Sequence, residues 1–254
     1  MVGINSMILF ANGCSHTAGA EIEFKYQNCC YEKAWPKYLA DSLNIEWTNI
    51  SLSGGSAERI IRTTIQWFGE DPRRIKNTFV VIGWPGPWRS EIKLNKQVSF
   101  NIPVNLLKSD AQWQSINVNN NETYLKLVKE GRLSEDFYKY YQYWCLLGND
   151  DQKWINYITD IICLQSYFKS LRIPYLFFHT SSAISYSQEH FSFSKQIDTR
   201  FWLNTPFKNE DSFCAILGKT FKYAPKSATN HFGEDGQQAW AKILEKKVNL
   251  ILDN

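Results

Sequence analysis

The chain has 254 residues with a formal net charge of +3, 44% hydrophobic and 21% charged, enough for a soluble globular protein to bury its core without a metal or disulfide. The charge forms no block: the basic pairs Arg73-Arg74 and Lys246-Lys247 stand beside acidic residues, which argues against a nucleic-acid surface. No apolar run approaches the roughly eighteen residues that span a bilayer.

Taken in chain order, Met7 to Gly13 (MILFANG) is a short apolar run ending at glycine, the pattern of a buried strand. Glu32 to Leu43 carries Trp35, Leu39 and Leu43 at helical spacing, with Pro36 admissible only in the first turn. Glu46 to Ser51 is a second strand, followed by the break SGGS and a helix over Ala57 to Phe68. Ile60, Ile61, Ile65 and Phe68 are expected to face inward there. Thr78 to Trp84 is continuous, β-branched and aromatic, and stops at Pro-Gly-Pro. A long helix is expected over Lys153 to Leu171 and a strand over Pro174 to Thr180. A last helix runs from about Asp235 to Leu252, with Ala239, Ile243 and Leu250 inward.

Strands alternating with helices predict an α/β fold, a three-layer α/β/α sandwich on a flavodoxin-like parallel sheet of four or five strands. Between Pro85 and Asp151 the alternation lapses. A polar loop over Asn117 to Glu122 and an aromatic-rich helix over Leu133 to Leu147 read as an insertion at about 85–151 in a single domain spanning 1–254. It looks too short to build a core of its own. Ser181 to Ala228 reads as irregular.

In parallel sheets ligands sit at the carboxyl ends of the strands, and four clusters fall there. Gly13-Cys14-Ser15-His16-Thr17 follows the first strand, where a serine can act as a nucleophile or simply as a turn residue. Thr17 rules out the GxSxG elbow. Asn49 to Ile60 supplies small residues, Gly54 and Gly55, with backbone N–H groups to offer; its plain alternative is a loop with Ser56 as N-cap. Ile82 to Glu91 places Trp84, Arg89 and Glu91 at the end of the third strand, Arg89 and Glu91 reading equally well as a solvated pair. Asn230 to Leu244 sets His231 just before the last helix. The six cysteines (Cys14, Cys29, Cys30, Cys145, Cys163, Cys214) form no CxxC pair and have no histidine at zinc-finger spacing. Neither a metal nor another cofactor is expected. The opening MVGINSMILFANG lacks the features of a signal peptide, which makes a cytoplasmic location the expectation.

The order of these blocks resembles the SGNH (GDSL-like) hydrolase superfamily. Gly13-Cys14-Ser15 matches its G-D-S block with Cys in place of Asp, Gly54 or Gly55 its oxyanion glycine, and His231 with Gly236 and the following helix its closing block. The opening GCSHTAG is similar to a branch seen in bacterial and phage proteins. The resemblance implies Ser15 as nucleophile and His231 as its base, within hydrogen-bond reach of each other. It implies a substrate site including Gly54, Gly55, Arg89, Glu91, Trp84 and His16. Two positions depart from the family. Gly83-Trp84-Pro85-Gly86 lacks the oxyanion Asn of G-x-N-D, and Ala228 stands where an Asp precedes the histidine by three. Arg89 is the candidate substitute for the first, and Asn230, Glu234 or Asp235 for the second. The expected function is a serine esterase acting on a small-molecule or carbohydrate ester, the aromatic insertion suiting a sugar cleft. The same site could transfer the acyl group to another alcohol, and a noncatalytic binding protein on a degenerate fold is the alternative. The oligomeric state stays open.

Overall fold

A computed structural model of the chain describes residues 7–23, 29–93, 113–117, 121–131, 133–147, 150–181, 184, 192–225, 227 and 230–253. Strands β1 (Ile8–Gly13), β2 (Glu46–Asn49), β3 (Thr78–Trp84) and β6 (Tyr175–His179) form a parallel sheet in the order β2-β1-β3-β6. The register sets Gly13 beside Gly83 and Trp84 beside His179. β3 is buried along its whole length, which is why it reads as an unbroken apolar run: a central parallel strand is covered on both faces.

Strand alternation divides the sheet between two cores. Leu9, Ala11, Phe79, Val81, Leu176 and Phe178 point to one, under α1 (Trp35–Leu43) and α7 (Glu234–Leu252). Phe10, Val80, Ile82, Trp84, Tyr175 and Phe177 point to the other, under α2 (Ala57–Glu70) and α5 (Asp150–Leu171). The three-layer α/β/α expectation therefore holds. Beyond β6 a fifth strand position is occupied in rudiment: Trp202 bridges Phe177 in parallel, and the Leu203 N–H donates to the Phe177 carbonyl at 2.9 Å.

Pro36 sits in the first turn of α1, and Asn44 closes that helix in the left-handed region at φ 54°, where Asn is tolerated. Ser56 caps α2 by accepting the Arg59 N–H at 3.2 Å. On each of two helices one residue expected inward lies outward, while Ile60, Ile61, Phe68, Ala239 and Ile243 pack on the core. Ile65 is 40% exposed, and α2 instead buries Thr63, Thr64 and Trp67 with Ile60 and Phe68. The Asn12 amide donates to Thr63 Oγ1 at 2.9 Å and Thr64 Oγ1 at 3.0 Å, anchoring that polar edge against β1. In α7 the buried stripe is Trp240, Ala241, Leu244 and Val248, while Leu250 lies exposed near the helix end.

The segment expected as an insertion holds β4 (Arg89–Lys93) paired antiparallel with β5 (Trp113–Asn117), then α3 (Asn121–Lys129) and α4 (Glu135–Leu147). Asn117 thus ends a strand and Asn121 opens a helix; the middle of the expected polar loop lies outside the described residues. The segment does build a small core, of Ile116, Tyr124, Leu127, Leu133, Phe137 and Tyr141. Its aromatics supply enough apolar area per residue to make this possible in so short a stretch.

Candidate active site

The chain leaves β1 through a tight turn. The Cys14 carbonyl accepts from the Thr17 and Ala18 N–H groups, both at 3.0 Å, and the Ser15 carbonyl from Ala20 N–H at 3.0 Å. Gly13 is required by packing: a Cβ there would stand 2.4 Å from Thr17 Oγ1 and 2.8 Å from the Gly83 carbonyl. The turn is thereby pressed onto β3, with Ser15 at the carboxyl edge of the sheet, buried to 4% exposure. Cys14, in the place of the family's Asp, turns into the fold, its Sγ 3.4 Å from Thr180 Oγ1.

His231 reaches this edge from the start of α7. Its Nδ1 lies 3.0 Å from Glu21 Oε2, and the same oxygen accepts from Ser227 Oγ at 2.7 Å. Ser227 Oγ in turn accepts the His231 N–H at 2.8 Å. Glu21 is fully buried and holds a left-handed φ of 62°. A buried carboxylate on Nδ1 keeps the proton there and leaves Nε2 as the basic nitrogen. Burial lowers the His231 pKa, Glu21 partly restoring it and the Arg89 charge lowering it further; the balance favours the neutral ring, the form able to act as a base.

The acid beside His231 was not legible from the family spacing. Asn230 points to solvent, Glu234 is taken by Tyr38 and Lys33, and Asp235 caps Gly236 N–H. Ala228 lies outside the described residues. Glu21, six residues after Ser15, carries one sequence signal: a lone carboxylate in the small apolar run Ala18-Gly19-Ala20-Glu21-Ile22.

The residue next to Ser15 meets the histidine directly. The His16 and His231 rings lie 4.7 Å apart. His16 Nε2 is 3.5 Å from Cys214 Sγ, and its buried Nδ1 has no hydrogen-bond partner among the described residues. Its pKa is pushed well down, first by burial, then by His231 and Arg89.

Gly54 and Gly55 take different parts. Gly55 donates its N–H to the Leu52 carbonyl at 2.9 Å and is packed so closely that a Cβ would meet the Gly13 carbonyl at 2.9 Å. Gly54 adopts φ +80°, and no backbone carbonyl takes its N–H among the described residues. Arg89 reaches the Gly55 carbonyl at 3.4 Å, bringing a cation to this loop. Two other expected site residues belong elsewhere. Trp84 is a core residue at 0% exposure, edge-on to Tyr157 and Phe177, because the last residue of a doubly covered strand still points into a helix layer. Glu91 forms a two-pronged ion pair with Arg62 at 2.8 and 2.9 Å and ties β4 to α2.

The parallel four-stranded sheet between helices, with Ser15 after its first strand and His231 before its last helix, is the frame that holds the site. The chain belongs to the family described as "Family of unknown function (DUF6071)", whose profile matches residues 21–251. No curated protein matches the sequence. Among solved structures, TesA is similar over 96% of this chain and 99% of its own, at 11% identity and a TM-score of 0.50. The esterase EstA from Pseudoalteromonas sp. is similar over 97% and 99%, at 12% identity and a TM-score of 0.48. The acetyl xylan esterase Est2A from the rumen bacterium Butyrivibrio proteoclasticus is similar over 99% and 66%, at 12% identity and 0.49. The likeness is one of fold.

Proposed function

We propose that this protein is a serine ester hydrolase whose nucleophile is Ser15 and whose base is His231, oriented by Glu21. The observation that carries the reading is the buried Glu21–His231 contact at 3.0 Å. A neutral imidazole with its Nδ1 proton held by a carboxylate is what proton abstraction from a hydroxyl needs. In the step proposed, Ser15 Oγ attacks the ester carbonyl as its proton passes to His231 Nε2. The Gly54 and Ser15 N–H groups and the Arg89 guanidinium stabilise the oxyanion, Arg89 standing in for the missing Asn. His231 then protonates the leaving alcohol, and water, activated in the same way, releases the acyl group. A carbohydrate ester is the substrate class in view, and the aromatic residues of the 85–151 segment are what support it.

The test is labelling with a fluorophosphonate probe, with hydrolysis of p-nitrophenyl acetate alongside. Wild type should label and Ser15→Ala should not, with an unchanged thermal midpoint. Retained cleavage in Ser15→Ala would remove Ser15 from the role, and a folded wild type that neither labels nor cleaves would leave a binding protein.

A further inference from the structure

A cavity of about 480 Å³ is bordered by Trp88, Asn121, Tyr141, Gln142, Asp150 and Lys153 among others. That size lies within the usual range of small-ligand pockets. Its most telling occupant is Lys153, which is only 9% exposed. A buried ammonium is costly unless it is closely paired. Among the described residues the ion pair of Lys153 is with Asp150 at 3.8 Å, a side chain itself 72% exposed. Two aromatic faces also stand near the ammonium: the Trp88 ring centre is 5.4 Å away and that of Trp144 5.3 Å.

Lys153 also borders a second, water-sized cleft of about 20 Å³, together with Arg89, Glu58, Trp144 and Asp160. Lys153 thus lines both the larger cavity and the cleft bordered by Arg89, the side chain that reaches the Gly55 loop. Burial and the neighbouring Glu58 push Asp160 up to about 8, and burial raises Glu58 as well.

We infer that the cavity is a substrate subsite for a six-membered ring bearing a carboxylate, with Lys153 as the counter-charge and Trp88 as the stacking face. The inference rests on the ester-hydrolase reading and names the substrate class for it. A ring flat against an indole buries apolar area without demanding a particular polar edge. The carboxylate supplies a closer partner for Lys153 than Asp150 at 3.8 Å. Asn121, whose Oδ1 accepts from Tyr138 at 2.9 Å, and Gln142 stand on the rim with amide groups to offer ring hydroxyls. Two sources share this chemistry, a uronic acid residue of a glycan and an aromatic acid.

Titration calorimetry on the Ser15→Ala protein separates this inference from the catalytic one, because binding needs no turnover. The probes are methyl glucuronoside against methyl glucoside, and benzoate against benzyl alcohol. At least one anion should bind about tenfold or more tightly than its neutral counterpart, the size expected of a charge-assisted contact. The member of the pair that binds identifies the source. Lys153→Met should abolish the preference and Lys153→Arg should keep it, while Trp88→Ala weakens both partners of a pair. A lack of preference in both pairs, or a preference that survives in folded Lys153→Met, overturns the assignment. If Ser15→Ala still cleaves esters, the nucleophile fails and the binding result stands by itself.

Discussion

Replacing Glu21 by Gln removes one negative charge from a fully buried position that accepts from both His231 and Ser227. The shape and one carbonyl oxygen remain. When His231 takes the serine proton it becomes a cation beside this carboxylate. At about 4 Å between charge centres and an effective dielectric near 20, that pair is worth about 4 kcal/mol. At about 1.4 kcal/mol per decade this is about 10³ in rate, and losing the acid of a serine triad reaches about 10⁴. We therefore expect kcat for p-nitrophenyl acetate to fall by about 10³–10⁴ with little change in KM. The pH profile supplies a second reading. Glu21 raises the His231 pKa against the larger effect of burial. A base must be neutral, so activity is present above the His231 pKa and lost as pH falls through it. In wild type that acid limb lies below the ordinary histidine value of about 6.5, and in Glu21→Gln it should move lower still. The assay is kcat and kcat/KM from pH 4.5 to 8.5, with the thermal midpoint measured on the same samples. A folded Glu21→Gln protein within about threefold of wild type, or an acid limb that moves upward, would refute Glu21 as the acid.

Arg89→Met should lower kcat by about 10²–10³, as loss of an oxyanion donor does, with the fold intact; rates within about threefold of wild type would leave the missing Asn without a substitute. Gly13→Ala places a Cβ 2.4 Å from Thr17 Oγ1 and 2.8 Å from the Gly83 carbonyl and should destabilise by about 1–3 kcal/mol in urea unfolding. A neutral result would mean that the turn is not held as tightly as described. Asp160 has its folded pKa raised to about 8, so its contribution to stability is complete below the unfolded value of about 3.9 and is lost as pH rises toward 8. Asp160→Asn should accordingly raise the thermal midpoint at pH 7.5 and leave it unchanged near pH 4, and an equal gain at both would show that the carboxyl ionises normally.

The sheet was legible because its signals are local. β3 spans Thr78 to Trp84 as its run of apolar and β-branched residues predicts, and Gly13 and Pro36 mark where a strand must turn and a helix can begin. The serine turn and the histidine are read from the same punctuation, since strand ends and helix starts define the edge where chemistry sits. Periodicity settled less about faces: Ile65 and Leu250 fit an inward helical spacing yet lie exposed, because the neighbour that packs against a helix decides which stripe is covered. Trp84 and Glu91 show the same limit in the site, one taken by the core and the other by Arg62 on α2. The acid shows it most sharply. Glu21 and His231 are 210 positions apart, and a carboxylate can serve an imidazole from any segment that brings it within about 3 Å. The order of short motifs along the chain determined the scaffold and the serine and histidine positions. Only the tertiary structure decided which carboxylate stands beside the histidine, because that is a matter of distance between segments that share no local pattern.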